Sequence, residues 1–326
     1  MKFLLFSLSL ILLVGLTIFF ISPKIKSKNL VNIFKQDQIK THVHHLSQII
    51  GERNITKPPQ LQKSADYIKN FLKNLNLKVE TQKYEIQSNK EYLPIAERKL
   101  PFTVENIYVT LNAQSKLPHL VVGAHYDTFF DTPGADDNAS SVSVLLEMIK
   151  QFASSKTLKR PIDFVFFTLE EPPFFQTNEM GSYQFAKMLQ SKQTKILGMI
   201  SLDCLGYFSE SQSYPFPLNL FYKSKGDFIS LISSWDSFSF YKKVSNQTYQ
   251  SNQLKLNNFS LPSQIPGVTY SDHWSFEQFS YPAVLFTDSA FYRSSHYHEN
   301  TDHHDTLNYE KLTEFTNILY NLIQVL

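Results

Sequence analysis

The sequence contains a single cysteine, Cys204, among its 326 residues. One cysteine cannot build a disulfide framework or a cysteine-rich zinc finger within one chain. Any metal ion must therefore be bound by histidine, aspartate and glutamate side chains. A lone cysteine is compatible with the cytosol and also with a secreted protein that has no disulfides, so the compartment has to be inferred from another part of the sequence.

The chain also lacks an excess of charge of either sign. Its 31 Lys and Arg residues nearly balance 29 Asp and Glu residues, and the formal net charge is +2. Such a balance creates no strong field that would attract nucleic acid or an acidic polymer, so we predict no nucleic-acid partner. With 42% hydrophobic and 14% aromatic residues the chain can bury a full core, which excludes a largely disordered protein.

Residues 3–22 carry no charge and match the length of about 20 residues that a helix needs to cross a bilayer. The run is longer than the roughly 7 to 15 apolar residues of a signal-peptide core, and no small-x-small cleavage site precedes Lys24. We therefore predict an uncleaved transmembrane anchor within residues 1–29, followed by one domain over 30–326. The domain is expected outside the cytoplasmic membrane, and it would be secreted if the segment is cleaved. Lysines flank both ends of the run and leave its orientation open.

Hydrophobic periodicity predicts alternating helices and strands after this segment. Helices are expected over 36–50, 61–75, 139–152, 182–189 and 307–326. Strands are expected over 78–86, 104–111, 120–124, 162–168, 196–202 and 283–287. This alternation predicts an α/β domain with a largely parallel sheet. The polar segments 209–217 and 241–266 are interpreted as excursions that form pocket walls, a lid or ordinary surface loops.

Histidine and carboxylate residues follow four of the predicted strands. They are His125 and Asp127, then Glu170 and Glu171, then Asp203, and finally the segment RSSHYHENTD. A further pair, Asp136 and Asp137, lies in the turn PGADDNAS. Ligands of open α/β sheets bind at the carboxyl ends of the strands, where all these residues are expected to meet. So many carboxylates near a buried sheet are costly without cations, which predicts a metal site.

The motifs HYD, GADDNAS, LEE, SLDCLGYF, SDHWSF and YHENTDHHDTL, in this order, resemble the M28 family of zinc metallopeptidases. The resemblance implies a three-layer α/β/α fold with a largely parallel mixed central sheet, as in zinc exopeptidases. It also implies two zinc ions per chain. His125 and Asp203 would bind one ion, Glu171 and His298 the other, and Asp137 would bridge both, so that each ion keeps a place for water.

The resemblance also implies roles for three residues beside the ligands. Glu170 matches the general base, Asp127 matches the carboxylate that orients a ligand imidazole, and Tyr297 matches a tyrosine that stabilises the oxyanion in some members. The bridging residue is taken as the fourth of the G-A-x-D turn, with Asp136 as the adjacent alternative. The implied activity is hydrolysis of peptide bonds, with an aminopeptidase as the default.

This chain departs from the family pattern at EEPPFFQTNEMGS, which is longer than the usual glycine-rich turn and puts substrate preference in doubt. The remaining histidines of the first helix and of the last motif are read as structural or surface residues. Asp272 and His273 would line the substrate side or only cap a helix, and they are left out of the metal set.

Two alternatives remain open at this stage. A glutaminyl cyclase-like acyltransferase would share the fold but use a single zinc and release ammonia. A receptor-like binding domain without catalytic activity would be expected to have lost the ligands. The oligomeric state is not predicted.

Overall fold

The computed structural model describes residues 26–27, 33–87, 90–94, 102–155, 158–214, 218–220 and 225–326. The predicted anchor at 3–22 lies outside these residues. Within the described part of the chain, no helix is both long enough and apolar enough to cross a bilayer.

A mixed sheet of eight strands forms the centre of the described structure. In chain order the strands are β1 (Glu80–Glu85), β2 (Thr103–Leu111), β3 (His119–His125), β4 (Ile162–Phe167), β5 (Ile196–Leu202), β6 (Phe228–Ser234), β7 (Lys255–Leu261) and β8 (Ala283–Thr287). Their order across the sheet is β1-β2-β4-β3-β5-β8-β6-β7. Strands β4, β3, β5 and β8 run parallel to one another, whereas β2 and β6 pair with this group in the antiparallel sense. A separate short pair joins Lys26–Ser27 to Tyr249–Gln250.

Helices pack on both faces of the sheet, which confirms the layered α/β expectation. They are α1 (Gln36–His44, continued by the π-helical turn His45–Ile50), α2 (Pro58–Asn74), α3 (Ser141–Ser154), α4 (Gly181–Ser191), α5 (Phe238–Gln247), α6 (His273–Glu277) and α7 (Tyr309–Val325). Helices α1, α2, α3, α5 and α7 contribute to the larger hydrophobic core, and α4 and α6 contribute to a smaller core on the opposite face.

The alternation of side chains along the central strands explains these two cores. In β3, Leu120 and Val122 point into the larger core while Val121 points into the smaller one. Strands that are buried on both faces have continuous apolar sequences, and all six residues of β4 are buried. The short, nearly continuous apolar runs of the sequence therefore predicted the positions of the central strands.

The interpretation of segment 241–266 as an excursion is wrong. Residues up to Gln247 continue helix α5, and Lys255–Leu261 forms the edge strand β7, parallel to β6. Neither β6 nor β7 was predicted, and helix α5 was missed as well. Serine and asparagine residues interrupt the apolar pattern of FISLISS and KLNNFSL, so these strands do not stand out from polar loops.

The parallel arrangement places the carboxyl ends of β3, β4, β5 and β8 along one edge of the sheet. His125 is paired with Phe167 across β3 and β4, and Leu202 with Phe286 across β5 and β8. The polar residues that follow these strands therefore converge on one place.

Candidate metal centre

His125 is the last residue of β3, and carboxylates from the neighbouring strands surround its imidazole. Its Nε2 atom lies 3.5 Å from Asp203 Oδ1, which follows β5, and 4.0 Å from Glu170 Oε2, which follows β4. The ring is buried. Its Nδ1 atom lies 3.2 Å from the main-chain carbonyl of Asp127. Because that carbonyl accepts the Nδ1 proton, Nε2 is left as the atom that faces the carboxylates.

Asp137 lies between two histidines. Its Oδ1 atom is 3.3 Å from His125 Nε2, and its Oδ2 atom is 3.2 Å from His298 Nε2. His298 Nε2 is also 3.3 Å from Glu171 Oε2. The structure thus brings together all five residues that the resemblance implied as ligands, with the carboxylate of Asp137 shared between the two halves.

The donor atoms form two groups that share this carboxylate. One group is His125, Asp137 and Asp203, and the other is Asp137, Glu171 and His298. A third possible group combines His125 with Glu170 and Glu171. Glu170 is farther from His125 Nε2 than either Asp137 or Asp203 is, so the first two groups are the better candidates for metal sites.

These donors fit zinc in chemical type and in their lack of other partners. Three buried atoms of the cluster, His125 Nε2, His298 Nε2 and Glu171 Oε1, have no hydrogen-bond partner. Buried polar atoms are normally satisfied, and each orphaned atom is costly. Imidazole nitrogens and carboxylate oxygens are the ligands expected where cysteine does not contribute. Both donor groups contain such orphaned atoms, which indicates that the cluster holds cations.

Electrostatics support the same conclusion. Burial, together with the charge of Asp137, raises the pKa of Glu171 to about 7. Burial also raises the pKa of Glu170 well above its usual value. Burial lowers the pKa of His298, but the carboxylates of Glu171 and Asp137 outweigh this effect and raise it to about 10. The raised pKa values mean that Glu170, Glu171 and His298 bind protons readily, because negative carboxylates are crowded together. A bound cation would neutralise the same negative charge.

Asp127 holds the backbone of the two glutamates. Its Oδ1 atom accepts the N–H of Glu170 at 3.2 Å, and its Oδ2 atom accepts the N–H of Glu171 at 3.1 Å. Its carboxylate is 3.6 Å from His125 Nδ1, farther than its own main-chain carbonyl. Asp127 therefore orients the imidazole through its main chain and positions Glu170 and Glu171 through its side chain.

Asp302 was not assigned a role from the sequence, yet it holds the turn that carries Asp137. Its carboxylate accepts the N–H of Asp136 at 2.9 Å and the N–H of Asp137 at 3.1 Å, and its main-chain carbonyl accepts the N–H of Ala135 at 3.1 Å. It lies four residues after His298. The only signal in the sequence was its presence in the same motif, which does not distinguish it from a surface aspartate.

Asp136, the alternative bridging residue, points away from the cluster. Its Oδ1 atom accepts the N–H of Gly206 at 2.7 Å. Burial and the nearby carboxylates of Asp288 and Asp302 raise its pKa well above the usual value. The geometry favours Asp137 as the shared carboxylate.

Aromatic rings enclose His298 and shape the space in front of the cluster. Its imidazole stacks between Phe129, at 4.1 Å between ring centroids, and Tyr297, at 3.8 Å. A cavity open to solvent lies against the cluster, and its lining consists of acidic and aromatic residues with Pro172 and His298. A second cavity shares Asp203, Tyr270, Phe291 and Tyr297 with the first and is lined mainly by apolar residues.

The structure also shows the surroundings of three residues that were left out of the metal set. Asp272 is fully buried and makes no capping hydrogen bond to helix α6, and burial raises its pKa to about 7. His273 Nε2 donates to the carbonyl of Val268 at 2.8 Å. His42 bonds Tyr67 and Glu147, so it has a structural role in the core.

A model of peptidase family M28 matches residues 106–323, which is more than half of the chain. The chain belongs to peptidase family M28. This M28 chain is 32% identical over 301 residues to the uncharacterized protein YfbL of Escherichia coli strain K12, covering 87% of this chain and 88% of YfbL. The predictions of the family and of a hydrolase are therefore confirmed.

Solved structures share the fold of this M28 chain. The zinc aminopeptidase BSAP from Bacillus subtilis superimposes with a TM-score of 0.65 at 16% identity, over 91% of this chain and 96% of that structure. The glutaminyl cyclase of Porphyromonas gingivalis superimposes with a TM-score of 0.67 at 18% identity, over 91% of this chain and 100% of that structure. At these identities the likeness concerns the fold alone, and it does not separate the two activities.

Proposed function

We propose that this chain is a two-zinc aminopeptidase. The observation that carries the proposal is the position of Asp137, whose two carboxylate oxygens face the Nε2 atoms of His125 and His298 separately. A carboxylate divided between two donor groups supports a pair of ions rather than one. His125 and Asp203 would hold one zinc, and Glu171 and His298 the other.

The residues of the site can be given separate tasks. Zinc, when bound in a pair, supplies Lewis-acid activation of water and of a carbonyl group. Glu170 would serve as the general base, which takes the proton of the attacking water and returns it to the leaving amine. Tyr297 stacks on His298 and lines both cavities, so we propose that its hydroxyl donates to the developing oxyanion.

The lining of the cavity at the cluster favours the amino end of a peptide. Its carboxylates are Asp137, Glu170, Glu171 and Asp203, and neither Lys nor Arg lines it among the residues that the structure describes. Two bound zinc ions would offset the charge of these carboxylates, but a terminal carboxylate would still lack a basic side chain to pair with. This argues for an aminopeptidase over a carboxypeptidase.

The adjoining cavity favours an apolar first residue. Ile232, Phe259, Leu261 and Val268 are among its lining residues, and it opens beside Asp203. Burial of an apolar side chain is favourable by about 25 cal/mol per Å². We expect higher kcat/KM for leucyl and phenylalanyl nitroanilides than for the lysyl or aspartyl compounds. Equal values for all four substrates would contradict this assignment of the cavity.

The deciding experiment combines metal content with activity. The full-length chain is purified in detergent, its zinc is measured by elemental analysis, and hydrolysis of aminoacyl nitroanilides is followed for wild type, Glu170→Gln and Glu105→Gln. Glu105 is buried outside the metal cluster and serves as the matched control. We expect about two zinc ions per chain, and a fall in kcat of about 10²–10⁴-fold for Glu170→Gln alone with its zinc retained.

Other outcomes identify the alternatives. One zinc per chain, together with ammonia released from a peptide with an N-terminal glutamine, would contradict the aminopeptidase and support the glutaminyl cyclase-like function. A wild-type chain without bound metal would instead favour a binding domain.

We also propose that residues 3–22 anchor the domain on the outer side of the cytoplasmic membrane. The support is the uncharged run of sequence. The chain is expected in the membrane fraction, with the domain degraded by protease added to intact cells or, where an outer membrane is present, to spheroplasts. Recovery in the soluble cytoplasmic fraction would overturn this proposal.

A further inference from the structure

Arg53 is fully buried at the end of the segment that leaves helix α1. A buried guanidinium is costly unless its donors are satisfied. All of its side-chain hydrogen bonds run to main-chain carbonyls, those of Leu46, Gly51, Tyr126, Pro133 and Gly134. The planar guanidinium presents five donors in a rigid fork, and this site uses it to join separate stretches of backbone.

The three shortest of these bonds hold the chain around the metal ligands. Nε donates to Tyr126 O at 2.8 Å, and Tyr126 separates His125 from Asp127. Nη1 donates to Pro133 O at 2.7 Å, and Nη2 donates to Gly134 O at 2.8 Å. These two carbonyls immediately precede the turn that carries the bridging carboxylate. One side chain thus fixes both ends of the loop 126–134.

The neighbours of Arg53 bind the middle of the same loop. Glu52 Oε1 accepts the N–H of Asp131 at 3.1 Å, and Asn54 Nδ2 donates to Phe129 O at 3.0 Å. The main-chain N–H of Arg53 donates to Thr128 Oγ1 at 3.1 Å. The three consecutive residues 52–54 therefore support the loop along its length.

The charge of Arg53 also suits its position. Burial lowers its pKa to about 10, against the opposing effect of Asp302, Asp127, Asp137 and Glu171. It stays cationic at neutral pH and faces the acidic cluster without contacting the metal-binding atoms. Its hydrogen bonds reach main-chain oxygens and leave the carboxylates free.

We propose that Arg53 is a positioning residue of the metal centre: it holds the loop 126–134 so that His125 and Asp137 keep the separation needed to share a metal ion. The inference rests on the metal site of the proposed function. Groups that support metal ligands typically contribute 10–100-fold to metal affinity, and Arg53 acts on two ligands through their backbone.

The test compares Arg53→Met with Arg160→Met in the full-length chain. Arg160 also donates to main-chain oxygen atoms, those of Leu326 at 2.7 Å and Pro118 at 2.9 Å, but it lies at the opposite end of the sheet. Zinc affinity is measured by competition with a chromophoric chelator, and the ligand geometry by the absorption spectrum of the cobalt-substituted chains. Thermal unfolding of the metal-free chains reports stability separately.

We expect Arg53→Met to bind zinc about 10–100-fold more weakly than wild type and to change the cobalt spectrum. Arg160→Met is expected to lose stability while keeping both properties. Equal zinc affinity and equal spectra for the two variants would overturn the inference. A wild-type chain that binds no zinc would instead overturn the proposed function.

Arg53→Lys decides the question if the methionine variant does not fold. Lysine keeps the charge but cannot reach three carbonyls with a fixed fork. We expect weaker zinc binding than in wild type and partial retention of the cobalt spectrum. Wild-type affinity in this variant would show that charge alone suffices and would overturn the positioning role.

Discussion

At the scale of single residues, backbone conformations that amino acids rarely adopt surround the site. Leu169, Cys204 and His298 have φ values of 55°, 50° and 59°. Leu169 precedes Glu170, Cys204 follows Asp203, and His298 is itself a proposed ligand. A non-glycine residue in this region costs of the order of 1–3 kcal/mol and persists only where the surroundings enforce it. The strain indicates that the strand ends are bent to direct these side chains toward one point.

Asp127→Asn tests whether the side chain of Asp127 positions the two glutamates. Asparagine keeps one acceptor oxygen, but its NH2 group would face a main-chain N–H, so one of the bonds to Glu170 and Glu171 is lost. We expect zinc affinity and kcat/KM each to fall about 10–100-fold. Both are measured by chelator competition and nitroanilide hydrolysis. Asp163→Asn is the control, because Asp163 is equally buried but bonds Thr110 and His119. Equal effects of the two variants would contradict the assignment.

Gly134→Ala tests the turn before Asp137, the proposed bridging carboxylate. Gly134 has a φ of 60°, and an added Cβ would lie 2.4 Å from the carbonyl oxygen of Asp137 and 2.4 Å from Thr128 Cγ2. We expect a loss of unfolding free energy above the roughly 1–2 kcal/mol that a left-handed alanine costs by itself, together with weaker zinc binding.

Gly267→Ala is the matched control for this variant. Gly267 has a φ of 87°, but its added Cβ would come no closer than 3.3 Å, to a ring atom of Tyr292. Urea unfolding measures both variants. Equal losses of stability would show that backbone conformation alone matters at Gly134 and that the close contacts do not.

At the scale of elements, helix α3 is tied to α1 by a buried carboxylate. Glu147 Oε1 lies 3.1 Å from His42 Nε2 and 3.1 Å from Lys150 Nζ. Burial raises the pKa of Glu147, but the hydrogen bonds from His42 and Lys150 outweigh it and keep the pKa below its usual value. The ionised carboxylate is therefore more stable in the folded chain than in the unfolded one.

Glu147→Gln should show the corresponding dependence on pH. Because the folded pKa is lowered, the contribution of Glu147 is complete above the unfolded pKa of about 4.3 and is lost as the pH falls through the folded value. We expect the variant to be less stable than wild type at pH 7, with a smaller difference below about pH 4. Urea unfolding at both pH values measures this. A difference that stays constant or grows on acidification would contradict it.

The edge of the sheet shows where element prediction failed. Strands β6 and β7 contain Ser230, Ser233, Asn257 and Asn258, whose polarity is typical of loops. Ser233 and Ser260 satisfy each other across the two strands at 3.1 Å. A pairing of this kind depends on the neighbouring strand, so it cannot be read from either segment alone.

At the scale of the whole molecule, metal binding is expected to stabilise the folded chain, because carboxylates are crowded together at the proposed metal site. Four carboxylates line the cavity at the metal site, Asp137, Glu170, Glu171 and Asp203, and all four residues are largely buried. A ligand that binds only the folded chain stabilises it by about 4 kcal/mol at 1,000 times its Kd. Zinc is therefore expected to contribute to stability as well as to activity.

Removal of zinc by a chelator should lower the Tm by roughly 10 °C, and added zinc should restore it. Differential scanning fluorimetry of the full-length chain in detergent provides the measurement. Asp203→Asn, which removes a ligand charge, should show a smaller shift. An unchanged Tm after complete removal of zinc, confirmed by elemental analysis, would contradict the coupling.

The central part of this protein could be predicted from its amino-acid sequence. Apolar runs located β3, β4, β5 and β8, because strands buried on both faces must be continuously hydrophobic. The histidine and carboxylate residues just after these runs could then be assigned to one edge of the sheet. The motifs indicated the M28 family, and the five implied ligands do lie together.

How these residues are held depends on contacts that form only in the folded chain. The family motif favoured Asp137 over Asp136, but only the fold shows that the carboxylate of Asp137 faces the two histidines while that of Asp136 accepts a bond from Gly206. Asp302 and Arg53 act on backbone atoms 165 and 81 residues away along the chain. Every residue has a main-chain carbonyl, and every residue except proline has a main-chain N–H, so a contact to these groups leaves no pattern in the sequence. Their importance arises only when the chain folds and brings the loops together.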